Sequence, residues 1–189
     1  MKRNNHFKNS WEFIVESKKY IYFAIGIFIL SAIFGFIFHD KLTFIDKLLK
    51  SLVDRTEGLG TFDLISFIFF NNLQSAFFGM ILGIVFGIMP LVNAVSNGVV
   101  LGYVLEKVFK FSGFSDFWRI LPHGIFELPA IFISLGLGMR LGFFIFSKDK
   151  KRSFKSELKK AIYSFLLIVV PLLVIAAIVE GTLIIIGKS

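Results

Sequence analysis

Five long apolar runs, separated by short polar or charged segments, dominate the sequence. Each run approaches or exceeds the roughly 20 residues that a helix needs to cross a bilayer. The predicted crossings are residues 20–38, 62–89, 92–109, 117–146 and 161–186. This pattern predicts an all-α fold, a polytopic transmembrane helical bundle of about five crossings. The bundle forms a single domain over residues 20–189, preceded by an N-terminal segment, 1–19.

Two segments outside the crossings show apolar residues at helical spacing. The first is 7–19 and carries Phe7, Trp11, Ile14 and Val15; the second is 42–56 and carries Ile45, Leu48, Leu49 and Leu52. Charged residues occupy the opposite face of each segment. This amphipathic pattern predicts two helices that lie in the membrane interface and do not cross it.

Prolines mark where the predicted helices end or bend. Pro90 is expected to close the second crossing, so that the second and third form a tight antiparallel hairpin, unless both are re-entrant halves. The long fourth run contains Pro122 and Pro129 and is expected to be tilted, kinked or broken. Pro171 is expected to kink the fifth.

Composition and charge support lipid as the main partner. The chain is 56% hydrophobic and 18% charged, whereas soluble domains average about 25% charged residues. The net charge of +8 does not indicate nucleic-acid binding, because the basic residues flank apolar runs.

The distribution of Lys and Arg predicts the orientation. Five lie in 1–19 and seven in 147–160, whereas the four in 39–61 are matched by four acids. The positive-inside rule therefore predicts a multi-pass protein of the cytoplasmic membrane with a cytoplasmic N-terminus.

Small residues recur at every fourth position in three of the predicted crossings. They are Ser75, Gly79, Gly83 and Gly87 in the second, Ala94, Gly98 and Gly102 in the third, and Ala130, Ser134, Gly138 and Gly142 in the fourth. Such ladders allow the close backbone approach by which helices associate in lipid. They predict packing among these three helices, with a homodimer face as the alternative.

Several polar residues fall at predicted membrane depth, where an unpaired charge is costly. The main candidates are His123, Glu127 and Glu180, with Asn71, Asn72, Gln74, Asn93 and Asn97 as a second group. His123 and Glu127 are four residues apart, so they share a helix face, and the predicted topology brings Glu180 to the same side. Arg140, near the end of its run, is expected to extend its guanidinium to the headgroups.

The His123–Glu127–Glu180 group has three open interpretations. It could bind a divalent cation such as zinc, since neutral His and ionised Glu are common ligands. It could relay a proton, or it could be a hydrogen-bonded network that fixes helix register. No cofactor is established by these residues, and the motifs H-E-x-x-H, G-x-S-x-G and the P-loop are missing from the sequence, which favours a protein that is not an enzyme.

Two longer motifs resemble a known family. The run NNLQSAFFGMILGIVFGIMPLVNAVSNGVVLG and the later LPHGIFELPA, followed by Glu180, are similar to the stage II sporulation protein M family of multi-pass membrane proteins. The motif positions are Asn71, Asn72, Asn97, Gly98, Pro122, His123, Gly124, Glu127 and Pro129. The resemblance implies a membrane anchor or scaffold for envelope proteins and implies no catalytic residue.

Three functions therefore compete. The first is a non-enzymatic envelope scaffold, which could also self-associate. The second is a small transporter or channel component that uses the buried His and Glu residues. The third is a metal-dependent intramembrane hydrolase with the same residues as ligands.

Overall fold

A computed structural model describes residues 6–113, 121–144 and 154–186, except for the side chains of residues 112, 121–123 and 184–186. The α-helices are α1 His6–Glu16, α2 Lys18–Ile37, α3 Phe44–Thr56, α4 Thr61–Ile81, α5 Ile88–Ser112, α6 Leu121–Phe143, α7 Phe154–Ser164 and α8 Val170–Ile186. A π-helical segment, Phe165–Val169, joins α7 to α8. No strand occurs in the described ranges.

Five helical stretches are long and apolar enough to cross a membrane. They are Lys18–Ile37, Thr61–Ile84, Ile88–Phe111, Gly124–Phe143 and Phe154–Leu183. The prediction of an all-α bundle with about five crossings is therefore confirmed.

The turn between the second and third crossings comes earlier than predicted. α4 ends at Ile81, and a 3₁₀ turn leads to Gly87, whose φ of +71° is left-handed. Glycine adopts that conformation without a steric penalty. α5 then begins at Ile88, so Pro90 lies in its first turn, where the missing N–H costs no hydrogen bond. α4 and α5 are continuous helices of 21 and 25 residues, which is too long for re-entrant halves.

The prolines of the last two crossings have different effects. α6 is one helix of 23 residues, about 35 Å long, and it continues through Pro129. Before Pro171 the helix changes to the π segment, whose wider turn leaves room for a proline ring without an N–H to donate. α7, the π segment and α8 form one helix that runs from Phe154.

α6 lies at the centre of the bundle. It packs against α2 and α5 on one side and against α4 and α8 on the other. We call the two ends of the bundle the α1 end, which holds α1, α7 and the α4–α5 turn, and the α3 end, which holds α3 and the last turns of α2, α5 and α8.

The small residues of α4 and α6 face each other. A Cβ atom built on Gly83 would collide with the backbone of Gly138, and one on Gly142 would collide with the backbone of Gly87. Ser134 donates its hydroxyl to the carbonyl of Ala76 at 2.6 Å. The two backbones therefore approach as closely as glycine allows, which maximises van der Waals contact.

The small residues of α5 pack mainly against α2, for which no ladder was predicted. A Cβ on Gly98 would lie 2.5 Å from the carbonyl oxygen of Phe28, and one on Gly102 would collide with Ala32. Ala94 is buried between α2 and α6. A Cβ atom built on Gly35 of α2 would likewise collide with the backbone of Val99 on α5.

The two amphipathic helices are only partly covered by the bundle. Phe13 of α1 and Ile45 of α3 are buried. Ile14 of α1 is also buried, whereas Phe7 and Trp11 on α1 and Leu48 on α3 are about half exposed. This combination is typical of helices that lie in a membrane interface.

Candidate functional site

A groove lined by polar side chains separates α4 from α5 as the two helices diverge from their turn. We call it the amide groove; its volume is about 380 Å³. Its polar lining residues are Asn71, Gln74 and Ser75 on α4 and Asn93, Ser96 and Asn97 on α5. Spacings of three and four residues place each set on one face of its helix.

Hydrogen bonds fix part of this lining. Asn93 donates its Nδ2 to Ser75 Oγ at 3.1 Å, which joins α5 to α4. Asn97 donates its own Nδ2 to the Oδ1 and the carbonyl of Asn93, at 2.8 and 3.0 Å. Asn71, Gln74 and Ser96 remain exposed towards the groove, so their polar groups are available to a molecule that enters it.

The amide groove extends from the α4–α5 turn to about the middle of the two crossings. Asn71 comes ten residues after the start of α4 at Thr61, a rise of about 15 Å, half of a hydrocarbon core about 30 Å thick. Lipid chains cannot satisfy amide donors and acceptors at that depth. The arrangement is therefore suited to binding polar groups of another molecule.

Glu127 and Glu180 of the predicted His and Glu group do not line the amide groove. Glu127 on α6 is buried and Glu180 on α8 is half-buried, and each has an interaction partner within the protein. The side chain of His123 lies outside the described residues. Within the described part of the chain, no three His, Cys, Asp or Glu side chains are placed to hold a metal ion. The three-ligand metal site therefore stays a prediction, whereas Asn71 and Asn97 line the amide groove.

Arg140 forms a buried ion-pair network at the α1 end. Its guanidinium bonds to Glu157 Oε2 at 2.8 and 2.9 Å, to Glu16 Oε2 at 3.0 Å and to Ser17 Oγ at 3.0 Å. It also stacks on the Phe13 ring at 3.9 Å. These contacts join α6, α7 and the α1–α2 junction at one point.

The expectation that Arg140 extends to the headgroups is therefore wrong. Its side chain is only 8% exposed, because Glu157 is turned inward to meet it. The helical periodicity of α7 could have indicated that Glu157 is buried, because Glu157 shares a helix face with Ala161 and Ser164, which are also buried.

A second ionic group joins α2 to α5 at the α3 end. The buried Glu106 carboxylate lies 2.8 Å from Lys110 Nζ and 3.3 Å from His39 Nε2. His39 Nδ1 lies 3.1 Å from the carbonyl of Phe36, which orients the ring. This group fixes the turn that follows α2 against α5. The four-residue spacing of Glu106 and Lys110 on α5 indicates their pairing, whereas no local pattern indicates that His39 joins them.

Comparison with known proteins identifies the relatives of this chain. The profile of the family described as Stage II sporulation protein M matches residues 24–183. An uncharacterized protein from Methanocaldococcus jannaschii is 29% identical over 184 residues, which cover 89% of this chain and 83% of the relative. A second uncharacterized protein of that organism is 29% identical over 167 residues, 85% of this chain and 90% of the relative. No solved structure matches significantly.

Proposed function

The chain belongs to the Stage II sporulation protein M family, and from that membership we propose that it is a non-enzymatic envelope scaffold in the cytoplasmic membrane. It anchors partner proteins by binding their transmembrane segments. The observation that carries this proposal is the amide groove, where Asn71, Gln74 and Ser96 face outward at mid-membrane depth. Exposed amides at this depth are unfavourable in lipid alone and favourable against a polar partner helix.

The partner that fits the groove is a transmembrane helix with Ser, Thr, Asn or Gln residues on one face. A hydrogen bond between helices in a membrane contributes about 0.6 kcal/mol on average and rarely more than about 2 kcal/mol. The exposed groups of the groove would therefore set register and choice of partner, while van der Waals packing supplies most of the affinity.

The proposal includes a cytoplasmic N-terminus. α1 packs against α7, so Lys8 of α1 and the lysines of α7 lie at one end of the bundle. In the sequence, segments 1–19 and 147–160 carry five and seven Lys and Arg residues, whereas 39–61 carries four. By the positive-inside rule the α1 end faces the cytoplasm.

Photo-cross-linking in native membranes tests the scaffold function. A benzophenone amino acid replaces Gln74 or Ser96 in the groove, and Leu30 of α2, which is 66% exposed, serves as the matched control. We expect a discrete protein adduct from the groove positions and lipid adducts alone from position 30. The variant Asn71→Leu should reduce the yield at position 96 because it removes one of the exposed amides.

The identity of the cross-linked molecule distinguishes three outcomes. An adduct with a different membrane protein supports the scaffold, and an adduct between two copies makes the partner a second copy of the chain. Lipid adducts alone at both groove positions would refute the proposal.

Ion or proton transport is a second candidate, favoured by the burial of Glu127 at 7% exposure in the central helix. A buried membrane carboxylate is a common proton or ion site. In proteoliposomes, wild type should then carry a flux that Glu127→Gln lacks. Equal flux in the two proteins would rule out this candidate.

A further inference from the structure

A second groove, on the membrane-facing side of the bundle, lies between α4 and the helix that contains the π segment. α4 packs against α8 but diverges from the π segment, and this divergence opens a space of about 540 Å³. Gln74 is the polar one among the ten residues that line it. Phe77 and Phe165, both in the lining, meet edge to face at 5.6 Å. We call this space the acyl groove.

The length and position of the acyl groove match one leaflet of a bilayer. Its lining on α4 extends from Phe70 to Met80, a rise of about 15 Å, and half of a typical hydrocarbon core is also about 15 Å. The lining includes Ile162 at the α1 end and Val170 further into the bundle. The groove is therefore open to the chains of the leaflet at the α1 end.

Basic side chains lie above this groove, at headgroup level. Lys155, Lys159, Ile162 and Leu166 follow one another at spacings of four, three and four residues, so they share one face of the helix. Both lysines are exposed, and Ile162 and Leu166 line the groove directly below them. The face thus presents positive charge where phosphates lie and apolar surface where acyl chains lie.

The ion pair between Arg140 and Glu157 leaves the exposed surface of α7 positively charged. α7 carries one acid, Glu157, whose side chain is 3% exposed because it pairs with Arg140. The exposed charges of α7 are therefore the lysines, including Lys160. α7 therefore presents no exposed carboxylate to an anionic headgroup, whereas Glu12 and Glu16 of α1 line a neighbouring cavity together with Lys159.

From these observations we propose that the acyl groove and the two lysines form a binding site for an anionic phospholipid. One acyl chain occupies the groove, and Lys155 and Lys159 bind the phosphate. Basic residues at a membrane surface bind anionic lipids with about 1 kcal/mol each, which corresponds to roughly fivefold in affinity per lysine. A zwitterionic lipid of the same chain length gains less from these charges.

The test is a lipid titration of the purified protein in mixed micelles, with bound lipid counted by native mass spectrometry. Phosphatidylglycerol is compared with phosphatidylcholine of identical chains. The double variant Lys155→Gln/Lys159→Gln should bind phosphatidylglycerol roughly 25-fold more weakly. The matched control, Lys47→Gln/Lys50→Gln, removes two exposed lysines of α3 and should change nothing.

A second variant tests the acyl groove itself. Leu166→Trp places a larger side chain at a position that is 55% exposed, so folding should be preserved while the space is filled. This variant should weaken the binding of both lipids. Soluble glycerol phosphate should not compete with either lipid for the site. Equal affinity for the two lipids, an equal loss in the α3 control, unchanged binding to Leu166→Trp, or competition by glycerol phosphate would each overturn the site.

Discussion

The network around Arg140 allows a sharp test of how the α1 end is held together. In Arg140→Met a side chain of similar length replaces the guanidinium, but every contact with Glu157, Glu16 and Ser17 is lost. Glu157 then stays buried, with Lys160 Nζ 3.9 Å from its Oε1. A buried carboxylate in that state is poorly compensated.

The size of the effect follows from the burial of both partners. Removing one member of a buried ion pair typically costs about 3–5 kcal/mol, because the other is left as an uncompensated charge. In a domain of this size that corresponds to a drop in Tm of roughly 6–20 °C. Glu16, which is 49% exposed, can turn towards solvent when Arg140 is lost, so its part in the cost is small.

The double variant Arg140→Met/Glu157→Leu should be more stable than Arg140→Met. It removes the stranded carboxylate, and replacing both members of a buried pair by apolar residues is often neutral. The measurement is thermal unfolding in mild detergent, followed by circular dichroism, with Arg55→Met on the exposed face of α3 as the matched control. An Arg140→Met protein as stable as the control, or a double variant less stable than either single one, would refute this account.

Three further outcomes are expected. Gly142→Ala should unfold at a clearly lower temperature than wild type, because its Cβ would meet the backbone of the α4–α5 turn, whereas Gly26→Ala, which meets nothing within 4 Å, should be neutral or slightly stabilising. The chain has no cysteine, so Asn9→Cys and Asp54→Cys report topology directly: a membrane-impermeant maleimide should label position 54 in intact cells and position 9 only after lysis. Lys110→Met should lower the free energy of unfolding by about 1–3 kcal/mol in a denaturation curve, because the buried Glu106 loses its lysine partner. No loss would mean that His39 suffices as the partner of Glu106.

The sequence alone determined the membrane-spanning helices and the amphipathic ones. Apolar run length and helical periodicity are local properties, and each helix satisfies its own backbone hydrogen bonds in lipid. The crossings were therefore predictable to within a few residues, except at the α4–α5 turn and at the fifth helix, which begins at Phe154, seven residues before the predicted start. There Gly87, not Pro90, sets the start of α5, because a left-handed residue reverses the chain and a proline in a first turn does not.

Part of the candidate site was also visible in the sequence. Asn71, Asn93 and Asn97 were recognisable as polar residues at membrane depth, yet nothing local indicated that they face one groove. That they line it together follows from the divergence of α4 from α5. The predicted His and Glu group depends in addition on a side chain, His123, outside the described residues.

The tertiary structure decided which helices and charges meet. Small residues indicated that α5 packs closely against a neighbour, but the choice of α2, through Gly98 and Phe28, depends on complementary shape between distant segments. The partners of Arg140 are 17 and 124 residues away along the chain. In lipid no hydrophobic force brings helices together, so such pairings depend on surface fit and on buried polar contacts, which emerge only when the whole bundle is assembled.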